Sequence, residues 1–441
     1  MLHKALQTLL LLFWITACNA LSEIKVPLPK DMKGEFLGIE TCGSSTCHGS
    51  QTPWRNATVL MKEKLIWEGH DSHSKAYKSL LSERGKQIGL KLGFREPENN
   101  PQCLQCHSTF VPTEQRGENF LLESGVSCES CHGAGGNFLS THVYPDSNHQ
   151  KNVAAGMYPT DNPINRSKLC LSCHQAGANN NFNHKLYGAG HPRLRFELET
   201  YSVNLPYHFK YDADYKRRKR PVKPVYSWAF GQIESTLALL YSLEKTIKNS
   251  IYIPDLANFE CFSCHRNISS ETTITRHHSN FGTPSVNAAN IIMLRALADT
   301  IPSENKKLHT FASQLQEPVH SKSKTLKAIA GLQSTINLLK ASLNVDSDAI
   351  DGMTIISNIT KYSILDTSIS YSEAEMIAMS ISALAVADLK RGLIDNNQFK
   401  SINQDLDELY KNLEHEKKYT QSMYRRALSK FATNFNRVAS K

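Results

Sequence analysis

Four segments of this chain set two cysteines and a histidine in the order C-x-x-C-H: Cys103–Cys106–His107, Cys128–Cys131–His132, Cys170–Cys173–His174 and Cys261–Cys264–His265. A fifth, Cys42-Gly-Ser-Ser-Thr-Cys47-His48, widens the gap to four residues. With 11 Cys and 18 His in 441 residues, chance would supply C-x-x-C-H on the order of 0.01 times per chain. Two thiols on one turn can form thioethers to the two vinyl groups of a haem, and the adjacent histidine then reaches the iron. Structural zinc, thioredoxin-like redox sites and disulfides account for paired cysteines but give no reason for a histidine directly after every second one. The motifs therefore predict five covalent c-type haems within residues 42–265, with the ten motif cysteines holding the macrocycles and His48, His107, His132, His174 and His265 as proximal ligands.

A low-spin haem takes a second axial ligand, and nine further histidines lie between positions 70 and 278: His70, His73, His142, His149, His184, His191, His208, His277 and His278. His73 shares a helical face with Tyr77 at i, i+4 spacing and is placed to point inward. His142 follows the aromatic-containing turn Asn137-Phe138-Leu139. His184 and His191 flank Tyr187-Gly188-Ala189-Gly190, whose small residues permit close approach of backbone to a flat ring. His149 and His208 read as loop residues without a ligand role. His277 and His278 are the remaining clustered candidates after the last motif, and His278 is assigned as the fifth partner. His309, His320 and His415 sit in polar sequence and are expected to be solvated.

The chain resembles the multihaem c-type cytochromes related to cytochrome c-554. The resemblance rests on the Cys42–Gly49 opening, the Trp67…His73-Ser-Lys-Ala-Tyr77 stretch, Gly125-Val-Ser-Cys-Glu-Ser-Cys-His-Gly133, Gly190-His-Pro-Arg-Leu-Arg-Phe-Glu-Leu198 and Glu260–His265. It spans roughly residues 36–270. It implies a mostly helical, haem-packed periplasmic electron carrier, and it implies that His73, His142, His184 and His191 are distal ligands. The chain departs from the pattern at Arg266, where relatives often carry a second histidine after the last motif.

The elements that must position these groups divide the chain. Every cysteine lies at or before Cys264. The motif-bearing part is rich in Gly, Asn, Ser and His and poor in apolar runs, so it would bury little without its cofactors. Beyond about residue 280 the pattern turns helical. Leu326, Ile329, Leu332, Ile336, Leu339 and Leu343 form one stripe, Ile377, Ile381 and Leu384 another, followed by Leu406, Leu409 and Leu413 and by Met423, Ala427 and Phe431. Ser372 and Glu375 read as a capping box. An earlier helix, 232–248, leads toward the last motif. The predicted fold is mainly α: a haem-packed domain with few strands over 36–280, then a helical bundle over 281–441 without a cofactor.

Met1–Ala20 reads as a secretory signal, with His3 and Lys4 before an apolar run. Ile15-Thr16-Ala17-Cys18 resembles a lipobox, and Cys18 is the one cysteine left over from the pairs, which predicts an exported protein with a lipid anchor at Cys18, the alternative being ordinary signal-peptidase cleavage after Ala20. The formal charge of +9 is offset by haem propionates, roughly −10 for five haems. Nucleic-acid binding is unsupported. The basic run 216–223 reads as a solvated loop, with docking of an acidic redox partner as its functional alternative. Two function classes follow. The favoured one is a periplasmic electron carrier whose partners are other redox proteins. The other is an oxidoreductase acting on a small nitrogen or sulfur compound at one open haem, although the C-x-x-C-K motif of ammonia-forming nitrite reductases is absent.

Overall fold

The computed structural model describes residues 26–52, 59–177, 180–219, 221–249, 255–261, 265, 285–301, 305–316, 321–366 and 369–439. Among them the chain is mainly α-helical, and the only β pairing is two isolated bridges, Phe36 with Arg116 and Phe259 with Val286. No helix among the described residues is long and apolar enough to cross a membrane.

The two parts bury apolar surface in different ways. Before residue 200 the helices are short, among them Ile39–Cys42, Glu63–His70, Ala76–Leu80, Pro101–His107 and Cys128–His132. Their cores are small knots such as Phe36, Val111 and Ala134, or Tyr77, Leu80 and Leu104. So few apolar side chains cannot offset the conformational entropy of so many ordered residues, and the histidines and cysteines fill the spaces between the knots.

One large core occupies the rest, and it begins well before residue 281. The helix Pro224–Asn249 buries Trp228, Phe230, Ile233, Leu240 and Leu243 almost completely. It packs against Pro163–His174, Ala289–Ala298, Lys322–Ser342 and Tyr371–Arg391. A helix apolar on nearly all sides belongs at the centre of a bundle, and Pro224 at its first position starts it eight residues upstream of the expected 232–248. This helix ties the fourth motif, at the end of Pro163–His174, directly to the C-terminal bundle.

The expected stripes are buried, including Ile329, Leu332, Ile336, Leu339, Ile377, Ile381, Leu384, Leu406 and Leu409. Met423 is the exception at 60% exposure; Tyr424, fully buried, takes the inward position on Gln421–Ala439. The helix Tyr371–Arg391 is capped two residues earlier than its Ser372/Glu375 pair suggests. Ser370 accepts from the Glu373 amide, and Glu373 accepts from the Ser370 amide at 2.7 Å. The basic run is helical in its first half. Lys216–Lys219 closes the helix Ala213–Lys219, Arg217 and Arg218 both pair with Asp214, Lys219 reaches His149, and Lys223 reaches Asp348.

Candidate haem-binding site

Helical geometry explains how each C-x-x-C-H motif presents its groups. Residues i, i+3 and i+4 lie on one face, so two sulfurs and an imidazole project together. The second motif rides on Pro101–His107, with Asn100 as N-cap and Pro101 at the first position. The third forms the single turn Cys128–His132, and the fourth closes Pro163–His174. In the fifth, the His265 amide donates to the Cys261 carbonyl at 2.8 Å, the same i, i+4 closure. The wider first motif compensates with a turn: the Cys47 amide donates to Ser44 and the His48 amide to Cys42, which returns His48 to the start of the motif. Cys18, Cys264, His277, His278 and His320 lie outside the described residues.

Each motif histidine faces one other histidine. The ring centres are 6.2 Å apart for His48 and His142, 6.1 Å for His174 and His73, 6.2 Å for His107 and His191, 6.2 Å for His132 and His208, and 6.3 Å for His265 and His184. The rings are too far apart to touch and too uniformly spaced for coincidence. Two imidazoles bound on opposite sides of one metal ion, each at the ~2 Å of a metal–imidazole bond, hold their centres roughly 6 Å apart. Among the described residues no group of three or more His, Cys, Asp or Glu side chains converges as a metal-binding set. Histidines arriving strictly in twos suit a metal whose other four ligands come from a macrocycle, and the donor set therefore fits haem.

The second nitrogen of five of these ten rings is already occupied, which aims the first across the gap. Nδ1 of His48 meets Glu63 at 3.0 Å, and Nδ1 of His73 meets Asp71 at 2.9 Å. Nδ1 of His107 lies 3.0 Å from the Ala76 carbonyl, that of His142 lies 3.1 Å from the Phe138 carbonyl, and that of His191 lies 2.8 Å from the Pro192 carbonyl. Such partners fix the tautomer and orientation of a ligating imidazole and raise its basicity when the partner is a carboxylate. Burial pushes His132 down to about 3 and His174 down to about 4, so both rings are neutral and able to ligate. Asp71, by contrast, raises His73.

Of the four distal candidates read from the sequence, the structure brings His73, His142, His184 and His191 each opposite a motif histidine. The fifth candidate, His278, lies outside the described residues. The ring opposite His265 is His184, and the remaining motif histidine, His132, is met by His208, which the sequence reading set aside with the loop residues. His208 does lie in an irregular stretch, between Leu198–Asn204 and Ala213–Lys219. Its one sequence signal is the aromatic company of Tyr207, Phe209, Tyr211 and Tyr215, which pack on one another. His149 instead pairs with Asp161 at 2.8 Å. His309 is half-buried between Asp299, Arg295 and Tyr362 rather than solvated.

The motifs neighbour one another out of sequence order. The Cys42 thiol is pushed up to about 12, chiefly by burial and next by Cys128. Cys131 is raised by burial and by Cys170 and Cys173, and Cys106 shares a hydrogen bond with Cys173. The second and fifth sites meet on one segment, since His191 faces His107 and His184 faces His265. These contacts link the first site to the third, the third to the fourth, the fourth to the second and the second to the fifth. The second and third motifs, close in sequence, are joined through Thr109 and Ser130 at 2.6 Å.

Compared with known proteins, residues 41–133 match the family model described as cytochrome c554 and c-prime. No curated protein and no solved structure matches the chain.

Proposed function

Taking residues 41–133 as a segment of a c554-family cytochrome, we propose that the protein is an exported c-type cytochrome that transfers electrons through five covalently attached haems. The observation that carries this reading is the set of five motif histidines, each met by a second histidine at 6.1–6.3 Å. When bound, haem supplies a one-electron couple that no side chain offers. The chain's own residues do the rest. The motif cysteines would anchor the macrocycles, the paired imidazoles would hold the iron, and the interleaved motifs set neighbouring sites side by side, first with third, third with fourth, fourth with second and second with fifth. An enzyme working at an open iron needs a motif histidine without a partner, and each of the five has one, which favours the carrier over the oxidoreductase.

Donor and acceptor would be other redox proteins. Arg217, 79% exposed beside Asp214, lies on the helix after His208 and would meet an acidic one. Cys18 would carry lipid, and Cys18→Ser would then move the protein from the membrane fraction to the soluble periplasm; unchanged partitioning would refute the anchor. The central reading is tested by a pyridine haemochrome assay with an electron paramagnetic resonance spectrum of the oxidised protein. Five haems, all low-spin, are expected. Four haems would mean that the Cys42/Cys47 site is empty, and a high-spin signal would favour the enzyme.

A further inference from the structure

The contact between the bundle and the motif-bearing part is a concentrated cluster of charge. Arg193 donates to Glu375 at 2.6 Å, to Glu416 at 3.2 Å and to the Ser372 hydroxyl at 3.0 Å, and it lies over the Tyr371 ring. Arg195 donates to the other Glu375 oxygen at 2.5 Å. Glu260, buried and immediately before Cys261, accepts from the Ser370 and Ser372 hydroxyls. Arg193, Arg195, Ser372 and Glu375 border a cleft that also reaches His174 and Tyr187. The Cys261 thiol lies within this field: burial, Glu260 and Glu416 raise it, while Arg193 lowers it.

We propose that the helical bundle sets the redox potential of the fifth haem, through the Glu375 and Glu416 carboxylates that clamp Arg193 beside the Cys261 attachment point. This rests on the reading of Cys261–His265 as a haem site. Arg193, Glu375 and Glu260 are largely buried and interact more strongly than they would in water, while Arg195 and Glu416 close the cluster from its exposed side. The same contacts hold the bundle against the Gly190–Leu198 segment. Glu375 is therefore a positioning residue: it acts on the haem environment through Arg193 and Arg195.

The test is spectroelectrochemical titration of the full-length holoprotein. Glu375→Gln removes a negative charge, taking the ion pair from Arg195 and leaving Arg193 with Glu416 alone, so one midpoint should rise while the others hold. Arg193→Gln removes a positive charge, so the same midpoint should fall. Shifts of opposite sign support the proposal, because a merely loosened interface would admit water and move both variants in one direction. Shifts of the same sign, or no shift in either variant, overturn it. If Glu375→Gln does not accumulate, Glu416→Gln repeats the test at a carboxylate that is 41% exposed. A haemochrome count of four that traces the missing haem to Cys261/Cys264 would instead remove the site itself, a failure of the functional reading rather than of the clamp.

Discussion

Glu197 offers a quantitative check on how this interface is built. Its side chain is 1% exposed and caps Leu198–Asn204, accepting from the Glu199 amide at 3.1 Å and the Thr200 amide at 2.7 Å. Those bonds favour the carboxylate, but burial outweighs them, and neighbouring Glu199 adds to it, so the group is raised from 4.5 to about 7. Its folded-state value thus lies above its unfolded one, and between the two the folded chain binds the extra proton. Stability must fall as pH rises through that window. The fall is roughly 3 kcal/mol, at about 1.4 kcal/mol per pH unit. Glu197→Gln abolishes the titration. It also weakens one capping bond, which subtracts about 1 kcal/mol at every pH and leaves the slope untouched. The assay is urea unfolding of both holoproteins from pH 4 to 8.5. The stability of the wild type minus that of the variant should drop by roughly 3 kcal/mol between pH 4.5 and 7 and then level off. A flat difference, or one that climbs with pH, would refute the claim that burial dominates at this carboxylate.

Three further outcomes are expected. His208→Ala should convert one iron to high spin while the rest stay low-spin, because it strips the partner of His132; an unchanged paramagnetic resonance spectrum would remove His208 from the site. His184→Ala should do the same at the fifth site, whereas the double change of His277 and His278 to Ala should leave the spectrum as it was, and the reverse pattern would restore the expectation read from the sequence. Asp71→Asn keeps an acceptor for the His73 amide but takes the charge from its ring nitrogen, so one midpoint should rise in a redox titration; identical midpoints in variant and wild type would show that the Asp71 contact does not tune the ligand.

What the sequence settles here is local. The spacing of Cys103, Cys106 and His107, and of the three motifs like it, is a statement about one helical turn, and a turn is built the same way wherever it lies. The helical stripes, from Ile329 to Leu409, are legible for the same reason: a period of 3.6 residues needs only the chain that carries it. Pairing is another matter. Each facing histidine comes from a segment remote from its motif, and the aromatic neighbours of His208 are a weaker signal than the simpler claim of His277 and His278, which follow the last motif. Only the packing of the 205–212 segment over the third site brings His208 to His132. The cap at the start of Tyr371–Arg391 repeats the lesson within six residues. Ser370–Glu373 and Ser372–Glu375 both read S-x-x-E, and local preference cannot choose between them. The choice falls to Arg193 and Arg195, far away in sequence: their charges claim Glu375 for the interface, Ser372 turns to Arg193 and Glu260, and the capping role is left to Ser370 and Glu373.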